Sequence, residues 1–223
     1  LQFAKHFVDT KVGEITTFKG WYCDSIGRYV LTDNVMPVLY QSDKMKKPAG
    51  NPKENLECYY LLGHGSHLFD TARFFMGDIV SVEAKHVNKG TVHSWLIACA
   101  FANGAIGNLD LTIAIAQDWH EGIELYGTEG SVFAKIYNPW EFRSADVECC
   151  DGKTKIISKP YVPDGQFYRR QLEAFSDTIL NHVPQQGANA EDGIQALRAL
   201  VATYESAQHD GKRMYLKEMK GGL

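Results

Sequence analysis

No apolar run in the sequence approaches the ~20 residues that a membrane-spanning helix needs. No charged, apolar and small-residue succession of the secretory kind opens it, and no membrane partner is expected. Basic residues are not in excess. Lys and Arg number 23 against 27 Asp and Glu, and the formal net charge is −4. Nucleic-acid binding wants a clustered basic surface, so it is not expected either. The triplet Lys44, Lys46 and Lys47 reads as a solvated loop. Five cysteines, at positions 23, 58, 99, 149 and 150, contain no CxxC and no regular spacing. They read as reduced thiols of a cytoplasmic protein rather than a disulfide framework. There is no GxGxxG, the glycine turn that lets a helix N-terminus approach a pyrophosphate.

The 223 residues that are present suffice for one large domain with a sizeable core. The chain starts at Leu1 rather than Met and runs at once into a helix-like segment, which is expected of a piece of something longer. Residues Phe3 to Thr10 place Phe3, Phe7 and Val8 on one helical side, with Gly13 as a C-terminal cap. Glu14 to Cys23 is rich in strand formers. Residues 24–56 carry Gly27, Pro37, Pro48, Gly50 and Pro52 without periodicity and read as a long loop excursion. Ser66 suits a helix N-cap with Asp70 in the first turn, and Gly77 a stop. The period then changes to two. Strands are expected over 79–88, 91–102, 105–116, 120–126 and 131–137, then 147–150 and 155–158. Asn103-Gly104 reads as a type I′ hairpin, and Asp151-Gly152 as a further hairpin. Tyr168, Leu172, Phe175 and Ile179 form one apolar helical stripe, and Ile194, Leu197, Val201 and Tyr204 another. A short strand over 213–216 follows. Grouped strands and segregated helices imply an α+β fold: a large, mainly antiparallel meander with helices on one face. Its other face needs a cover, so a homo-oligomer through the sheet is expected.

The most informative run is Leu61-Leu62-Gly63-His64-Gly65-Ser66-His67-Leu68-Phe69-Asp70, ending at Gly77. With Tyr126-Gly127-Thr128-Glu129-Gly130-Ser131-Val132, the stretch 167–179, Asp192-Gly193, the stretch 196–207, Gly211 and Leu216, it resembles the second domain of the glucose-fructose oxidoreductase/inositol dehydrogenase/rhizopine catabolism (Gfo/Idh/MocA) family. The resemblance covers most of the chain apart from 24–56. It implies a C-terminal domain of the dihydrodipicolinate-reductase-like kind, joined in the whole enzyme to a Rossmann domain that is absent here. It also implies an NAD or NADP cofactor bound mainly by that absent domain, and hydride transfer to or from a sugar, cyclitol or related polyol. In the family a lysine, an aspartate and a histidine share the proton work. Only the histidine has a counterpart here, His67. The aspartate position, four residues earlier, is Gly63, and a glycine cannot accept a proton. A module that keeps the fold and binds sugar or dimerises without catalysis is therefore the alternative.

On its chemistry His67 suits proton transfer, since imidazole titrates near neutrality. The plainer alternative is a helix-start histidine bonded for structure. His64 can orient substrate and offset the missing carboxylate, or simply be a polar turn residue. Trp119 and His120, at a strand end, suit a sugar ring that stacks on an indole and is hydrogen-bonded at its rim. A Trp at an oligomer interface reads equally well. Asp164 and Tyr168, before and in the first closing helix, can reach a polyol. No metal is assigned: His64, His67 and Asp70, spaced by three, do not return to one point on a helix.

Overall fold

The computed structural model describes residues 1–25, 44, 50–138, 143–162 and 165–219. Of the expected excursion at 24–56, residues 26–43 and 45–49 lie outside the described residues, as does Asp164, while Asp24 ends a strand and Leu56 begins a helix. The chain opens with helix α1 (Gln2–Lys11), which buries Ala4, Phe7 and Val8. Strand β1 (Ile15–Asp24) follows, its even-numbered residues Phe18, Gly20, Tyr22 and Asp24 buried and its odd-numbered residues more open, the alternation of a strand with one core face. After a short 3₁₀ turn at Pro52–Glu54 comes α2 (Leu56–Met76). Six strands run on from it: β2 (Ile79–Lys89), β3 (Val92–Phe101), β4 (Ile106–Ile113), β5 (His120–Gly127), β6 (Gly130–Ile136) and β7 (Ala145–Asp151). The short β8 (Ile156–Ser158), then α3 (Phe167–Asn181), α4 (Ala190–Gln208), β9 (Met214–Tyr215) and a 3₁₀ turn at Leu216–Glu218 complete the described elements.

All nine strands form one sheet in the order β8-β7-β6-β5-β1-β4-β3-β2-β9. The expected meander is present on both sides of β1, but β1 itself is inserted between β4 and β5. It pairs antiparallel with β5 and parallel with β4, so the sheet is mixed though mostly antiparallel. Helices α1, α2 and α4 pack on one face: α1 on β6 and β7, α2 on β1 and β4, α4 on β2 and on α2. Between them and the sheet lies one apolar core, with Phe18, Phe69, Trp95, Ile97, Leu109 and Leu111 wholly enclosed. Helix α3 buries none of its residues.

Two local expectations change. The β3–β4 connection is not a type I′ turn. Gly104 alone has positive φ, +86°, while Asn103 keeps negative φ and accepts a hydrogen bond from the Ala105 amide. Ser66 is not an N-cap. The helix begins ten residues earlier, where the Asn55 side chain accepts from the Cys58 amide at 3.1 Å. Gly63 and Gly65 are therefore interior helix residues, and the left-handed conformation is not required at either. Gly65 has a packing role: a Cβ there would lie 2.7 Å from the Leu200 side chain, so its absence lets α4 approach α2. The expected stop at Gly77 is present, with φ +77° and its amide donating to the Arg73 carbonyl.

Candidate active site

The ends of β1 and β5 build the floor of a cleft. Tyr22 pairs across the ladder with Glu121, and side chains two apart share a face. Tyr22, Asp24 and Glu121 thus emerge together on the helix side, and all three are buried. Trp119, just before β5, joins them by donating its Nε1–H to Glu121 Oε2 at 3.1 Å. Its ring meets Tyr22 edge-on at 5.1 Å. Helix α2 supplies one wall through Tyr60, Gly63, His64 and His67. Helix α3 and residues 183–188 supply the opposite side, and the cleft between them measures about 1610 Å³.

His64 and His67 do not flank a turn. They stand one helical turn apart on one side of α2. The His67 ring lies parallel to Tyr22, 10° off at 5.8 Å, so its plane is fixed. His64 packs between Tyr22 and Tyr60, at 5.6 and 6.1 Å, and its Nδ1 lies 3.8 Å from Asp24 Oδ2. Burial pushes the His64 pKa down to about 4, with His67 adding to the effect. His67 is exposed at the cleft wall, yet partial desolvation lowers its pKa as well, against the pull of the Asp70 carboxylate. Both imidazoles are neutral at pH 7 and can accept a proton. Glu121 moves the other way: burial raises its pKa to about 7, the Trp119 hydrogen bond opposing and the Asp24 charge reinforcing the rise.

The residues singled out in the sequence are only partly brought together. His64, His67, Trp119 and Tyr168 line the cleft, Tyr168 from the half-exposed start of α3. His120 does not. Successive strand residues point to opposite faces, and His120 stacks instead on Trp21 at 5.6 Å, on the face away from the helices. Asp164 lies outside the described residues. Sequence reasoning missed Tyr22, Asp24 and Tyr60, and gave Glu121, which follows Trp119 and His120 at the same strand end, no role of its own. Alternation from the buried Ile123 and Leu125 marks Glu121 as facing inward, a signal present in the sequence. Asp24 was assigned to the loop excursion, and only the sheet reveals that β1 extends to it. Among the described residues, no three His, Cys, Asp or Glu side chains converge to hold a metal ion.

The profile of the GFO/IDH/MocA C-terminal domain matches residues 2–133. An uncharacterized oxidoreductase of Bacillus subtilis strain 168, YrbE, is 28% identical over 155 residues, 63% of this chain and 43% of that protein. A candidate NADPH-dependent oxidoreductase of Desulfitobacterium hafniense DCB-2 superposes with a TM-score of 0.73 at 19% identity, over 99% of this chain and 62% of that one. Levoglucosan dehydrogenase in complex with NADH superposes with a TM-score of 0.66 at 19% identity, over 96% of this chain and 62% of that one. The chain thus spans under half of its curated relative and about three fifths of these structures. The likeness to the two structures is one of fold.

Proposed function

The chain belongs to the GFO/IDH/MocA C-terminal domain family, and from that premise we propose that it is the substrate-side domain of a nicotinamide-dependent oxidoreductase acting on a sugar, cyclitol or related polyol. The observation that carries this reading is the His67 ring, stacked on Tyr22 at the wall of a cleft large enough for a sugar. Levoglucosan dehydrogenase, a structural neighbour, binds levoglucosan and NADH. These residues do not fit a dinucleotide by themselves, since no glycine turn for a pyrophosphate occurs in the sequence. The cofactor is to be held by a nucleotide-binding domain joined to this one, and when bound it supplies the hydride acceptor or donor.

What this chain contributes is proton handling and orientation. His67 takes the proton of the hydroxyl being oxidised, or returns it in the reverse direction. His64 binds a neighbouring hydroxyl. The Trp119 ring and the Tyr168 hydroxyl offer a stacking surface and a rim contact. Five free cysteines suit a reducing, cytoplasmic setting, and no helix among the described residues is long and apolar enough to cross a membrane. The outer sheet face is to pair with a second copy.

Turnover of the complete enzyme with NAD or NADP and a panel of polyols tests this. His67→Ala is expected to lower kcat by ~10²–10⁴-fold, the usual worth of a general base. His64→Ala is expected to act mainly on KM, as lost uniform binding does. Full kcat in His67→Ala at every pH would remove His67 as the base, whereas no turnover of any polyol by the wild type would favour a non-catalytic binding module, the reading that Gly63 keeps open.

A further inference from the structure

The family resemblance leads one to look for a carboxylate on α2 four residues before His67, and there is none at that position. Gly63 occupies the position, and a Cβ built there would meet nothing within 4 Å. The sheet brings a carboxylate to the same cleft from a different element. Asp24, the last residue of β1, is 2% exposed and faces His64, Oδ2 to Nδ1, at 3.8 Å. The Tyr22 and Tyr60 rings confine the imidazole, which limits how far it can turn away from that carboxylate. In a five-membered imidazole the two nitrogens lie on opposite flanks. With Nδ1 turned to Asp24, Nε2 is left for the cleft that both residues line.

We propose that Asp24 is the positioning residue of this site. It holds His64 as the Nδ1–H tautomer, so that the Nε2 lone pair accepts a substrate hydroxyl and the strand carboxylate stands in for the one that α2 lacks. A carboxylate beside one ring nitrogen selects the tautomer by accepting a hydrogen bond from that nitrogen's N–H. At 3.8 Å the separation is longer than a hydrogen bond, and catalytic contacts often tighten when substrate arrives. Burial keeps His64 neutral, with its pKa at about 4, which is the charge state in which the choice of tautomer matters. The proposal rests on reading the cleft as the substrate site, but its test needs neither cofactor nor turnover.

Long-range ¹H–¹⁵N correlation of the histidine rings in the 223-residue chain at neutral pH reads the tautomer directly. In the wild type, His64 is expected as Nδ1–H. Asp24→Ala is expected to swing it to the Nε2–H form that unconstrained imidazole prefers. Asp24→Asn keeps an acceptor oxygen and is expected to retain Nδ1–H. His67, flat on Tyr22, serves as the internal control and is expected not to change. A wild-type His64 that is mainly Nε2–H overturns the proposal without any variant, so a misfolded Asp24→Ala does not leave it untested. Persistence of Nδ1–H in a folded Asp24→Ala overturns it as well. Failure here leaves the turnover assay free to support the oxidoreductase reading, and failure of that assay leaves the tautomer result standing.

Discussion

Two residues of the cleft, the buried Glu121 and the half-buried His64, tie stability to pH with opposite signs. Glu121 has a folded pKa of about 7 against an ordinary 4.5. Between those values the folded protein carries the extra proton, so this group lowers stability as pH rises through the window and levels off above it. His64, at about 4 against 6.5, behaves conversely. There the unfolded chain carries the extra proton, and stability is lost as pH falls from about 6.5 toward 4. The two slopes offset each other between about 4.5 and 6.5. Glu121→Gln keeps an acceptor for the Trp119 N–H and removes one slope. Relative to wild type, it should gain up to about 3 kcal/mol between pH 4.5 and pH 8, at 1.36 kcal/mol for each unit of pKa displacement. Urea denaturation of both proteins at the two pH values checks this. An equal difference at both would mean that Glu121 is not the group held protonated by burial.

Helix α2 shows where reading the sequence worked and where it stopped. Its C-terminal half was legible from Leu68, Ala72 and Phe75 on one face and from the stop at Gly77. Its N-terminal half was not, because Gly63 and Gly65 are residues that usually interrupt a helix. Each is tolerated for its own reason, with opposite consequences on substitution. Gly63 faces open space, so Gly63→Ala should stabilise by about 0.5–1 kcal/mol, the ordinary helix penalty of glycine. Gly65 lies against Leu200, itself buried, so Gly65→Ala should destabilise by about 1–3 kcal/mol through overpacking. Thermal melts of the two variants, two residues apart, should move in opposite directions. Strand β1 was legible as a strand from its β-branched and aromatic residues. Its place between β4 and β5 was not, since local pattern fixes which face a residue takes but not which distant strand it joins. The same gap hid Asp24 and Glu121, which meet only through that insertion. It also let His120 be grouped with Trp119, although alternation sends them to opposite faces.

At the scale of the whole molecule, two surfaces are candidates for the self-association proposed above. The outer sheet face exposes Val87, Leu96 and Ile106, with Leu96 57% and Ile106 62% accessible. It is not uniformly apolar: a Lys19–Glu124 ion pair at 3.0 Å and a Ser94–Thr112 hydroxyl pair at 2.8 Å cross it. Helix α3 exposes a more continuous stripe of Leu172, Phe175 and Ile179. Yet Leu172 and Phe175 line the cleft, and a second copy seated on them would close the route that the proposed substrate needs. The outer face carries no such conflict, and its mixed character is ordinary for a protein–protein interface. Light scattering at high micromolar concentration should therefore give a mass above that of one chain. Leu96→Lys with Ile106→Lys should return it to the monomer mass with little change in melting temperature, because both side chains are already exposed. Leu172→Lys with Phe175→Lys should leave the mass unchanged. A monomeric wild type would remove the case for the sheet as an interface, and the reverse response of the two pairs would move that interface to α3.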